Sequence, residues 1–230
     1  MSGQTLPKEY RQLEYIDSTG TQVIETGYVV DENDVLELKY ELITKIGSDN
    51  FLFGSQKLNT GTGLWCETYS TSMNWYFRFG YSSSASKVST ESQYSGVLQL
   101  SKNSFVVNGE QLSKPYYSAM PTTTLALFGR RDTDGTYVGG RMRCFGFKIT
   151  RDGVVIRDFI PCYRKNDGTV GMYELVNGVF FTNVGTDAFI AGAEIPDDGW
   201  DEPEEPTKPS DSDSVYKYRM HNYYPAVIQS

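Results

Sequence analysis

A 230-residue chain that is 39% hydrophobic but 14% aromatic can bury a core built on Tyr, Phe and Trp, as one large all-β domain or two small ones. It has no apolar run of about 18 residues, which excludes a helical membrane span, and its opening "MSGQTLPKEYRQLEY" lacks the basic-then-apolar order of a signal peptide. Its net charge of −8 is local: nine acids against one lysine between Glu194 and Ser214 account for all of it, so residues 1–193 are nearly neutral and carry no basic excess for a nucleic-acid backbone.

Up to Gly192 the pattern has a period of two, broken by turns. "VLELKYEL" sets Leu36, Leu38, Tyr40 and Leu42 on one face and Glu37, Lys39 and Glu41 on the other, a half-buried strand. "NWYFRFGY" sets Trp75, Phe77, Phe79 and Tyr81 against Asn74, Tyr76 and Arg78. "SFVVNGEQL" and "YELVNGVFF" each place Asn-Gly between extended segments. Asn108-Gly109 and Asn177-Gly178 suit the positive φ angles of a type I′ turn, so both predict hairpins. "VVIRDFIPC" predicts a strand with Pro161 at its end or at a sheet edge, because proline cannot donate to a ladder. No window sustains a capped helical stripe. The fold class is all-β: an antiparallel two-sheet β-sandwich of jelly-roll type over residues 1–193.

Residues 194–214 break the pattern. "IPDDGWDEPEEPTKPSDSDS" is rich in Pro, acids and Ser, so it cannot offset the entropy of ordering and reads as an extended linker. The final segment, 215–230, is aromatic again and slightly basic. Tyr216, Tyr218, Tyr223, Tyr224, Val227 and Ile228 offer anchors for a partner, and the alternation of Tyr216, Tyr218 and Met220 with Lys217 and Arg219 suits a strand added to a partner's sheet edge.

"RDFIPCYRKNDGTVGMYELVNGVFFTN", Arg157 to Asn183, raises the question of a nucleophile at Cys162. A thiolate needs a base, usually histidine, and the chain's one histidine is His221, beyond the linker. Cys66, Cys144 and Cys162 cannot all pair and lack C-x-x-C spacing, so they read as buried reduced thiols. The segment reads as architecture.

Three stretches carry a resemblance: "LPKEYRQLEYIDSTGTQVIETGY", "ALFGRR" and "RMRCFGFKITRDGVVIRDFIPCYRKNDGTVGMYELVNGVFFTNVGTDAFIAG". Together they resemble a laminin G-like, concanavalin A-like jelly-roll domain, of the kind found in bacteriophage virion proteins and Firmicutes surface proteins. The resemblance spans roughly residues 6–192 and fades between Phe51 and Ser118. It implies two curved sheets with the terminal segments close together, and a virion location.

Relatives of that fold include glycosidases with converging carboxylates. Here Glu37 and Glu41 flank Lys39 as charges of a solvated strand face, so no enzyme is expected. Calcium is the one cofactor considered: "RRDTDGTYVGG" offers Asp132 and Asp134 as oxygen ligands on a loop, although Asp-Gly is also a plain turn. For a glycan, "GLWCETYSTSMNWYFRFGYSSS" supplies Trp65, Tyr69, Tyr76 and Arg78, either as a binding face opposite the core residues Trp75, Phe77 and Phe79 or as ordinary surface residues.

These readings converge on a non-enzymatic virion-surface module recognising a host or mucus carbohydrate. It would be attached to other virion proteins by its C-terminal tail, with a homo-oligomer on the particle as a further partner arrangement. The alternatives are a purely structural decoration or adaptor protein and, third, a glycan-degrading enzyme. Neither nucleic acid nor membrane is an expected partner.

Overall fold

The computed structural model describes residues 5–42, 50–58, 60–69, 74–81, 85–89, 93–115 and 119–196, with only the backbone of Tyr69 and Tyr81. The tail residues 215–230 and His221 lie outside them. In chain order the strands are β1 (Tyr10–Gln12), β2 (Ile16–Thr19), β3 (Ile24–Glu25), β4 (Asp34–Glu41), β5 (Asn50–Lys57), β6 (Thr62–Tyr69) and β7 (Asn74–Tyr81). Next come β8 (Ser86–Ser89), β9 (Ser95–Leu100), β10 (Phe105–Val107), β11 (Glu110–Ser113), β12 (Ala126–Leu127) and β13 (Gly129–Asp132). The last are β14 (Tyr137–Gly139), β15 (Arg141–Arg151), β16 (Val154–Arg164), β17 (Val170–Glu174), β18 (Val179–Thr182) and β19 (Ile190–Ala191). There is no helix among the described residues, and so none long and apolar enough to cross a membrane.

Two open sheets result. The larger runs β11-β10-β9-β4-β15-β16-β17-β18, joined by β1, β2 and β19, and the smaller runs β14-β13-β5-β6-β7-β8, joined by β3 and β12. Pairing is antiparallel throughout except between β13 and β5. The sheets face each other through large rings. Tyr40 of β4 meets Trp75 of β7 edge-on at 5.6 Å, and Phe53 of β5 meets Phe147 of β15 at 5.6 Å. Phe77 stacks on Phe105 at 4.2 Å. The core is therefore the one that the alternation of β4 and β7 dictates: Leu36, Leu38, Tyr40, Trp75, Phe77 and Phe79 are all buried. The chain is an all-β sandwich.

The turns answer unevenly to expectation. Asn108 and Gly109 both have positive φ, 52° and 82°, as a type I′ hairpin requires. At the second Asn-Gly only Gly178 does, at 70°. There the hairpin exists, but Gly178 N–H donates to the Glu174 carbonyl across a longer loop. The buried Glu174 carboxylate sets that loop by accepting the N–H groups of Val176 (2.8 Å) and Asn177 (3.0 Å).

Pro161 is not at an edge or an end. It lies inside β16, opposite Met172 of β17. The ladder between β15 and β16 stops at Phe147 and Phe159, beyond which the two strands part. The N-terminal segment fills the opening, pairing with β16 through β1 and with β15 through β2. Pro161 sits at this changeover. Its carbonyl faces the N-terminal segment and accepts Leu13 N–H at 2.9 Å, so its missing N–H falls where β16 exchanges one neighbour for another.

Residues 190–195 run alongside the N-terminal segment. Gly192 N–H bonds to Tyr15 O, Glu14 N–H to Ala193 O and Ile195 N–H to Gln12 O, at 2.8–3.0 Å. The compact unit ends at Ile195, two residues past the boundary that composition suggested. Glu194, read as the first acid of the linker, pairs with Leu13 and accepts a hydrogen bond from the Tyr163 hydroxyl at 2.7 Å.

Candidate functional site

Trp65 and Arg78 face each other across β6 and β7, and Glu67 faces Tyr76, all on the side of the smaller sheet away from the core. The structure thus brings Trp65, Tyr76 and Arg78 to one face. Tyr69 continues β6, and its side chain is outside the described residues. Trp65 is not an open platform, however: it is only 6% exposed. Phe51 packs edge-on against it at 5.7 Å and the Arg78 guanidinium lies 5.4 Å from its ring centre. A Cβ on Gly54 would come within 2.5 Å of its Cβ, and one on Gly63 within 3.2 Å of its Nε1, so two bare glycines make its bed. Arg78 donates to Gly61 O at 2.9 Å, and burial together with Arg130 lowers its pKa. Tyr76 is half-buried, with the Lys87 amine 5.6 Å from its ring.

Asp132 and Asp134 are adjacent on β13 and its turn but differently engaged. Arg130 forks onto the buried Asp132 carboxylate at 3.0 and 3.2 Å, where a cation would otherwise stand. Asp134 is exposed and turned onto Thr136, accepting its N–H at 2.9 Å and its hydroxyl at 2.6 Å. Those contacts hold its carboxyl below its ordinary pKa. Among the described residues no group of three or more His, Cys, Asp or Glu side chains is arranged to hold a metal.

Cys162 is buried, and burial pushes its thiol up to about 12; Cys144 behaves alike, and burial also raises Cys66 well above its ordinary value. None is poised as a thiolate.

The outer face of the larger sheet holds an arrangement that the motif reading missed. On β15, Cys144 pairs with Tyr40 and Gly146 with Lys39, so Phe145 is the extra residue of a β-bulge. The bulge turns Phe145 outward, where it is 38% exposed and meets Tyr15 edge-on at 5.6 Å. Tyr15 in turn carries the Arg143 guanidinium 3.9 Å above its ring, and that guanidinium pairs with Asp17 at 3.0 Å and Glu41 at 2.7 Å. An open depression of about 520 Å³ lies beside Phe145, bordered by Lys39, Glu41, Ser95 and Val97. A smaller one of about 70 Å³ adjoins it, bordered by Phe145, Lys39, Glu37, Lys148 and Asp158 over Gly146.

One signal was available. In "RMRCFGFKIT" the buried positions Met142 and Cys144 are followed by Phe147 and Ile149, a slip of one residue in the period-two pattern. That slip, with a glycine beside it, marks a bulge.

No family model matches this chain, and no curated relative matches it.

Proposed function

We propose that this protein is a non-catalytic glycan-recognition module that uses the outer face of its larger sheet. The carrying observation is Phe145, thrust out by a bulge beside an open depression whose rim offers both hydrogen-bond donors and acceptors. An exposed ring can stack on the apolar face of a pyranose, and flanking Lys, Glu and Ser groups can fix its hydroxyls. The buried cysteines and the mutually paired Lys148 and Asp158 favour binding over turnover. The virion setting is supported by the resemblance to laminin G-like domains found in bacteriophage virion proteins, among others. Attachment through residues 215–230 follows from their return to aromatic composition after the acidic linker.

A glycan array probed with the full chain tests the binding reading. Signal that disappears in Phe145→Ala, at unchanged melting temperature, is the expected result. Signal unaffected by that change moves the site elsewhere, and release of reducing sugar overturns the non-catalytic assignment. For the attachment, deleting residues 215–230 should leave a folded protein that no longer joins particles. Normal incorporation would end that part of the proposal.

A further inference from the structure

We infer that this face reads an uncharged oligosaccharide longer than one ring, and discriminates against acidic sugars. The inference rests on the glycan-binding reading above and specifies its ligand class. Among the described residues, each cation around Phe145 has a carboxylate beside it; the exposed Arg141, farther along β15, borders neither depression. Arg143 is shared by Asp17 and Glu41, at 3.0 and 2.7 Å, and is thereby held to its charged form. Lys148 faces Asp158 at 3.7 Å. Lys39 stands two residues from both Glu37 and Glu41 on one side of β4, where side chains at that spacing are same-face neighbours.

Among the described residues around Phe145 the formal count is three cations against four acids. A carboxylate or sulfate stacked at Phe145 would therefore meet a slightly negative field, and no described residue lining the two depressions is an uncommitted guanidinium that could receive it. Sugar hydroxyls suit the surface better, because they donate to carboxylates and accept from ammonium and amide groups alike. Glu37 illustrates the mixture: it accepts from the Gln99 amide at 2.8 Å and retains further acceptor sites.

The shape of the face sets the ligand's length. The two depressions share Lys39 and Phe145 and open on opposite sides of them. Gly146, with no side chain, leaves the smaller one accessible beside the Phe145 ring. A ligand stacked on Phe145 thus extends to either side, across β4 and β15.

Titration calorimetry of the full chain tests this with two probe sets. One is neutral gluco-, galacto- and manno-oligosaccharides of increasing length, and the other is galacturonate and sulfated galactan oligomers. A neutral chain is expected to bind at least about tenfold tighter than its monosaccharide. Its affinity should hardly change between about 0.05 and about 0.5 M salt. Phe145→Ala should weaken it about tenfold.

Acidic oligomers binding more tightly than neutral ones, with affinity falling steeply in salt, would overturn the charge argument while leaving glycan recognition standing. Equal affinity for monosaccharide and chain would overturn the length argument alone. A folded protein that binds neither set would remove the glycan reading itself.

Discussion

Glu174, 1% exposed, holds the β17–β18 turn with one carboxylate. It accepts the N–H groups of Asp158, Val176 and Asn177 and the Asn177 side-chain amide at 2.7–3.1 Å. Removing it leaves a buried cavity and strands several part-buried donors, so Glu174→Ala should cost about 1–3 kcal/mol in urea melts. Glu174→Gln should recover only part of that, because half of its amide is itself a donor. Asp158, on the outer face, has the opposite economy. Burial raises its pKa above the ordinary carboxylate value, outweighing the attraction of Lys148. A folded pKa above the unfolded one means that its stabilising contribution is present below the unfolded pKa and is lost as pH rises through the folded one. Asp158→Asn should therefore compare best with the wild type at neutral pH and lose that advantage on acidification. A difference that widens as pH falls would contradict this. For Trp65, burial decides the role: Trp65→Ala should lower stability by about 3–5 kcal/mol, unlike Phe145→Ala.

Among the elements, β15 shows how much the sequence can say. Alternation located the core faces of β4 and β7 because each strand has one apolar side, and a period of two is set by the pleat alone. Trp65 was legible as outward-facing for the same reason. Its burial was not, because Phe51, Gly54 and Arg78 reach it from neighbouring strands and only the register brings them together. Pro161 misled for a related reason: the rule against interior proline assumes a continuous neighbour, and β16 changes neighbours there. The type I′ expectation failed at Asn177 because a buried carboxylate, invisible to a dipeptide rule, holds the loop. The bulge itself was legible as a phase slip, and it gives a prediction. Cys144 and Gly146 already pair with the consecutive residues Tyr40 and Lys39. Deleting Phe145 should therefore restore a regular ladder, giving a protein that still melts cooperatively, at a lower temperature, but binds no glycan. An unfolded deletion would show that the bulge is needed for the parting of β15 and β16.

Over the whole molecule, the parted strands β15 and β16 make the fold depend on both ends of the compact unit. The N-terminal segment enters the opening, and residues 190–195 line it on the other side, so closing the larger sheet requires chain about 180 residues apart in sequence. The acidic composition after Ala193 hid this, since Glu194 resembles the linker acids that follow it. Its surroundings differ: Leu13 pairs with it, the Tyr163 hydroxyl donates to it, and Arg11 lies 3.6 Å away. The Arg11 pair, half-exposed, adds little. The Ile195 to Gln12 backbone bond is worth about 0.5–1.5 kcal/mol, and the solvent-exposed Tyr163 bond adds less. A chain ending at residue 196 should melt cooperatively with a β-type circular dichroism spectrum. One ending at residue 193 should fold to the same spectrum but melt about 3–6 °C lower. Glu194→Gln in the longer chain separates the contributions. It keeps an acceptor for Tyr163 and the backbone pairing while removing the charge, so most of the stability should remain. Identical melting of the two truncations would place the end of the folded unit at Ala193 and reduce the last two pairings to ornament on a sheet already closed.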